Sequence, residues 1–239
     1  MRIRVLATLL LAVVPAAAVD DRAAERARLM DEVAEQMARY APGAGGAPAL
    51  APEVARAMRA VPRHAFVPDG LGTRAYENRP LPIGHGQTIS QPFIVALMTQ
   101  MLAIEPGDRV FELGTGSGYQ AAVLAEMGAT VYSMEIVPPL AEAAAERLER
   151  LGYAVSIRVG DGYHGWPEHA PFDAIIVTAA ASQIPPPLVR QLKADGAMAI
   201  PVGAPFAVQQ LVLVRADENG AVSTRAVLPV RFVPVTGDH

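Results

Sequence analysis

Three glycines at alternate positions, Gly114, Gly116 and Gly118, separate an apolar run (Val110, Phe111, Leu113) from the helical run Gln120–Met127. A strand that turns into a helix over so few residues needs backbone at positive φ, which glycine adopts without steric cost. This feature commits the surrounding chain to layered α/β structure, because the helix must pack back on the sheet it has left. A strand–glycine turn–helix unit is also where doubly wound proteins hold a nucleotide-like ligand. The spacing here is G-x-G-x-G, with Tyr119 where the third glycine of the dinucleotide fingerprint G-x-G-x-x-G would stand.

The same alternation continues downstream. Arg109–Leu113, Thr130–Glu135, Val155–Val159, Asp173–Thr178 and Gly196–Pro201 read as strands, with helices at Gln120–Met127, Pro139–Leu151 and Pro186–Leu192. Gln209–Arg215 and Val222–Val233 leave no room for a crossover helix, so they are expected to form an antiparallel pair that closes the sheet. The expected fold is a three-layer α/β sandwich with a mostly parallel, doubly wound (Rossmann-like) sheet and an antiparallel C-terminal hairpin. Upstream, Leu29, Val33 and Met37 fall at helical spacing within Asp20–Tyr40, which predicts an N-terminal helical extension. Ala41–Pro52 reads as a small-residue linker, Glu53–Ala60 and Pro92–Leu102 as helices, and His64–Gln91 as a long Pro/Gly-rich loop.

At 239 residues and 51% hydrophobic, the chain can bury one substantial core. The expected division is a leader at 1–18, helix and linker at 19–52, the main domain at 53–235 and a short tail at 236–239. A net charge of −4 argues against a nucleic-acid partner, which calls for a basic face. Without cysteine there is no disulfide, thiolate metal site or thiol nucleophile, and the five histidines show no H-x-x-x-H spacing, so no metal is expected. Arg2 and Arg4, the apolar run Val5–Val14 and the small residues to Ala18 have the form of a secretory signal peptide. That run is too short to favour stable insertion in a membrane.

Three acids define the ligand. Glu112, inside the end of the first strand, favours a cation over a pyrophosphate. Glu135 ends the second strand about twenty residues beyond Gly114, where a carboxylate accepts from ribose hydroxyls. Asp161 lies between Gly160 and Gly162 after the third strand, placed to accept from an adenine amino group while the glycines admit the ring. S-adenosylmethionine, with a sulfonium and an amino group, matches this set. The expected cofactor residues are Glu112, Gly114, Thr115, Gly116, Ser117, Gly118, Glu135, Asp161 and Gly162. A dehydrogenase would need the missing glycine. A nucleic-acid adenine methyltransferase would need an Asn/Asp-Pro-Pro-aromatic segment where Thr178–Ala181 stands.

Beyond the glycine turn, the chain carries V-P-R-H-x-F-V-P (Val61–Pro68), A-Y-E-N-x-P-L-P-I-G-x-G-Q-T-I-S-Q-P (Ala75–Pro92), G-D-G-Y-x-G-W-P (Gly160–Pro167), F-D-A-I-I-V-T-A-A (Phe172–Ala180) and V-R-F-V-P (Val230–Pro234). Over Glu53–Val235 it closely resembles the protein-L-isoaspartate O-methyltransferases. The resemblance implies methyl transfer from S-adenosylmethionine to the α-carboxylate of L-isoaspartyl residues in damaged proteins and peptides, by a monomer. The alternatives are an S-adenosylmethionine-binding protein without catalysis, or a methyltransferase for another carboxylate. The resemblance makes Ser90 the active-site serine, with Thr88, Ile89 and His85 around the substrate. Read from its neighbours alone, Ser90 beside Pro92 is an ordinary helix cap. Family and cofactor supply point to the cytoplasm, and the leader to export or the periplasm.

Overall fold

The computed structural model of the chain describes residues 22–40 and 49–237. The leader reading of Met1–Ala18 and most of the expected linker lie outside the described residues. Seven strands form one sheet in the order β5 (Val155–Val159), β4 (Thr130–Glu135), β3 (Arg109–Leu113), β6 (Phe172–Val177), β7 (Leu192–Val202), β8 (Gln209–Ala216) and β9 (Val222–Val230). The first five run parallel; β8 and β9 run antiparallel as a closing hairpin. This is the expected architecture. Its topological switch lies between β3 and β6, because successive strands are added on opposite sides of β3, and such crevices are where open α/β sheets bind ligands.

Register sets the site. Leu113 pairs with Met134 on one side and with Val177 on the other. The glycine turn, Glu135 and Thr178 therefore leave the same carboxyl edge side by side. Apart from Glu112, Ser133 and Glu135, the buried positions of the central strands are apolar on both faces, as a covered parallel sheet requires. Val110, Val131, Ala174 and Ile176 face one cluster with Val123 and Leu124 of α4 (Tyr119–Glu126); Phe111, Ile175, Val177 and Met198 face another with Leu188 of α6 (Pro186–Val189). The N-terminal helix α1 (Ala23–Tyr40) buries Leu29, Met30, Val33 and Met37 in the first of these clusters, together with Val54 and Met58 of α2 (Pro52–Ala60) and Val95 and Met98 of α3 (Pro92–Met101). The helix α5 (Pro138–Arg150) follows β4 with prolines at its first turn, where a missing N–H costs nothing.

Two segments differ from the sequence-based expectation. The loop His64–Gln91 contains 3-10 turns at Arg63–Phe66 and Asp69–Arg74 and a small hairpin, β1 (Leu81–Gly84) with β2 (Gln87–Ile89). Three consecutive left-handed residues, Gly84, His85 and Gly86, make its turn. Elements this short leave no periodicity to read. The helix expected at Pro186–Leu192 is one turn, and β7 already starts at Leu192, with its pairing to β6 interrupted between Phe172 and Ala174. Beyond β9, the chain recrosses the sheet edge: Ala180 N donates to Val233 O at 2.7 Å and Val235 N to Ala180 O at 2.8 Å.

Candidate active site

The glycine turn is fastened to its neighbours by its own amides. Gly114 N donates to Met134 O at 2.8 Å, Thr115 N to the same carbonyl at 3.3 Å, and Gly118 N to Thr115 O at 2.8 Å. Gly116 N donates to Glu135 Oε2 at 2.8 Å, while Val137 N reaches Glu135 Oε1 at 3.0 Å. With these donors spent inside the protein, the turn is poorly equipped to cradle a phosphate, unlike a loop whose amides converge on an anion. Gly114, at φ 94°, lies so close to Thr178 that a Cβ would sit 2.5 Å from its Oγ1. The Thr178 hydroxyl lies 2.6 Å from Gly114 O and 3.0 Å from Leu113 O, and so locks the two strand ends together.

Behind the turn lies a buried acid. Glu112 is fully buried; its Oε2 accepts from Ser133 Oγ at 2.5 Å, and its Oε1 has no partner. Burial pushes this carboxyl up to about 8, with the charge of Glu135 adding to the effect. Ser133 Oγ lies 2.6 Å from Thr115 Oγ1, so the threonine is turned inward. Ser117 Oγ accepts from Tyr119 N at 3.3 Å. Asp161 Oδ1 accepts from Tyr163 N at 2.9 Å, and a Cβ built on Gly237 would collide with the same carboxylate. Gly162 packs so tightly on Leu113 that a Cβ would come within 2.6 Å of Leu113 Cγ.

Ser90 sits between β2 and α3, and it does not cap the helix. Gln91 is the N-cap residue and makes no side-chain capping bond; Asn78 Oδ1 accepts from Phe93 N instead, at 3.1 Å. The Ser90 carbonyl accepts from Arg63 Nη2 at 2.8 Å, and its hydroxyl has no partner among the described residues. Ser90 and Thr88 line a cavity of about 360 Å³ that is walled on the far side by Val230, Arg231 and Val233. Thr88 and Thr178 also line the cleft that holds Gly114, Gly116, Glu135 and Gly162, and Ser90 and Ile89 share a recess with Glu112 and the turn.

The structure thus gathers Thr88, Ile89, Ser90, Glu112, Gly114, Thr115, Gly116, Ser117, Glu135 and Gly162 around connected spaces, with Gly118 one residue behind as the left-handed N-cap of α4. Asp161 lines none of these spaces; its carboxylate lies against the C-terminal segment at Gly237. His85 is not brought in: it is exposed at the tip of the β1–β2 turn and lines neither the cavity nor the cleft. Thr178 was missed, although its place one step beyond β6, across the switch point from the turn, marks it. Arg63 offers no spacing signal at all, and its burial against the Ser90 carbonyl emerges only in three dimensions.

Comparison with known proteins agrees with this geometry. The family model described as Protein-L-isoaspartate(D-aspartate) O-methyltransferase matches residues 48–239. A protein-L-isoaspartate O-methyltransferase 1 of Cupriavidus necator is 58% identical over 224 residues, covering 93% of this chain and 86% of its own. A solved protein-L-isoaspartate O-methyltransferase superposes with TM-score 0.77 at 28% identity, over 89% of this chain and 66% of that longer one. A structure from Plasmodium falciparum described as such an enzyme, in complex with S-adenosyl-L-homocysteine, gives TM-score 0.72 at 25% identity, over 87% of this chain and 97% of that one. The glycine turn, the Thr88–Ser90 wall and the matched span lead to one conclusion: the chain belongs to the protein-L-isoaspartate(D-aspartate) O-methyltransferase family.

Proposed function

We propose that the protein transfers a methyl group from S-adenosylmethionine to the free α-carboxylate of L-isoaspartyl residues in damaged proteins, which opens their return to aspartate through a succinimide. The carrying observation is the shared wall: Thr88 and Thr178 border both the glycine-turn cleft and the 360 Å³ cavity, so donor and acceptor sites meet there.

The residues present suit the cofactor. The turn has little amide left for a phosphate, the unpartnered Glu112 Oε1 is an acceptor left for an amino N–H, and Glu135 retains lone pairs for hydroxyl donors on oxygens that each accept one amide. S-adenosylmethionine, when bound, supplies a methyl group already activated on a sulfonium.

This chain's own task is alignment and exclusion of water. An α-carboxyl of ordinary pKa, about 3.3–3.7, is ionised at neutral pH, so the acceptor needs no general base. Orientation alone supplies on the order of 7–11 kcal/mol in favourable cases. In this reading the Ser90 hydroxyl donates to the carboxylate and fixes which oxygen faces the cleft, while Thr88 and Ile89 shape the pocket. Arg231, on the cavity wall, sets a positive charge where an anionic substrate enters. Cofactor supply supports a cytoplasmic location, with export through Met1–Ala18 as the alternative.

The test is radiolabelled methyl transfer to an isoaspartyl peptide and to its aspartyl twin. Label should enter the isoaspartyl peptide alone. Absence of label in both, with S-adenosylhomocysteine binding confirmed by calorimetry, would leave a binding protein without catalysis.

A further inference from the structure

Arg63 is fully buried, with 0% of its surface exposed, and no carboxylate pairs with it among the described residues. Its Nε donates to Ala75 O at 2.9 Å and its Nη2 to Ser90 O at 2.8 Å, while Nη1 finds no partner. The guanidinium lies over the Tyr119 ring, 4.9 Å from its centroid. Tyr119 is the first residue of α4, directly after the last glycine of the turn, and its own hydroxyl is buried without a partner. Burial lowers the guanidinium only to about 10, so it stays charged at neutral pH.

For stability alone this is a poor arrangement. A buried cation without a counter-ion is costly, and an apolar side chain of similar volume often serves a core as well or better. What the charge does achieve is specific. It grips the carbonyl of the very residue whose hydroxyl is left free, and a fixed carbonyl fixes the peptide plane and hence the direction of the Ser90 side chain. The planar fork reaches the Ala75 and Ser90 carbonyls together, and the aromatic face holds the fork flat; a lysine ammonium has neither property.

We propose that Arg63 is a positioning residue for methyl transfer, clamping the Ser90 main chain against the platform of Tyr119 so that the Ser90 hydroxyl meets the substrate carboxylate in one orientation. This rests on the reading of Ser90 as the substrate-orienting hydroxyl.

A double-mutant cycle over R63K and S90A tests it, with kcat and KM for an isoaspartyl peptide and the Kd of S-adenosylhomocysteine measured for each protein. R63K should lower kcat about ten- to a hundredfold, the range that a misplacement of the order of 1 Å produces. KM and the S-adenosylhomocysteine Kd should stay within about threefold. In the S90A background, R63K should cost less than about threefold, because the group it positions is gone. A full loss in that background overturns the clamp while leaving Ser90 its role; a fully active S90A enzyme removes the Ser90 reading and the clamp with it. Should R63K fail to fold, the wild-type arginine Nε–H resonances decide. The Arg63 signal should shift on adding the isoaspartyl peptide in the wild type but not in S90A, and a signal that never moves, or that moves equally in both, overturns the proposal.

Discussion

At the scale of single residues, the site is defined by what its neighbours forbid or leave undone. Gly114 combines φ 94° with a wall 2.5 Å from any Cβ, so Gly114→Ala should cost on the order of 1–3 kcal/mol from backbone strain alone. Thermal unfolding should show the loss, and calorimetry a weaker S-adenosylhomocysteine affinity. Glu112 titrates against stability. Its native value, about 8, lies above its ordinary 4.5, so over that interval the unfolded chain gives up this proton first. The contribution to stability is therefore intact below about pH 4.5 and is lost as the pH rises through about 8. Glu112→Gln should accordingly raise the melting temperature relative to wild type more at pH 8 than at pH 5; a pH-independent difference would contradict the burial argument. These residues also mark what the sequence could convey. The positions of the turn and Glu135 on one sheet edge were legible because strand ends announce them. That Ser90 does not cap α3 was not, because it depended on Asn78, twelve residues upstream, accepting from Phe93 N instead.

At the scale of elements, legibility followed length and burial. Strands β3 to β6 could be read because an apolar run flanked by turn residues has few other uses, and their register then aligned the site without further instruction. The β1–β2 hairpin and the 3-10 turns were invisible for the opposite reason: each is held by contacts made elsewhere, such as Arg63 Nε to Ala75 O and the Gln91 amide to Asn78 O at 3.0 Å. The N-terminal helix shows the same dependence from the other side. Its period was plain in the sequence, but its reach was not: Gln36 Oε1 accepts from Asn78 Nδ2 at 2.9 Å and from Gln91 Nε2 at 3.3 Å, one residue from Ser90. α1 thus buttresses the Thr88–Ser90 wall of the cavity as well as covering the core. Leu29→Ala, at a position 2% exposed, should destabilise by about 2–5 kcal/mol. Differential scanning calorimetry should show the whole protein melting early in one transition, whereas a separate low-temperature transition would mean that α1 unfolds by itself.

At the scale of the whole molecule, the pocket is a meeting of distant segments. Residues near 90, 114, 135, 178 and 233 supply its walls, and the last of these is tied in by the short pairing of Val233 and Val235 with Ala180. Val235→Pro deletes one of those hydrogen bonds, a net loss of about 1 kcal/mol, so the melting point should fall by roughly 2–4 °C. If the segment is a true wall, the S-adenosylhomocysteine Kd should rise severalfold in the same protein; an unchanged Kd would make the segment a mere cover. The pairing also has a consequence in time. A ribosome delivers the glycine turn and Ser90 more than a hundred residues before Val233, so the parallel strands can assemble while the pocket still lacks its outer side. A chain that has not yet reached Val233 lacks the outer side of its cavity, and the capacity to methylate waits on that segment.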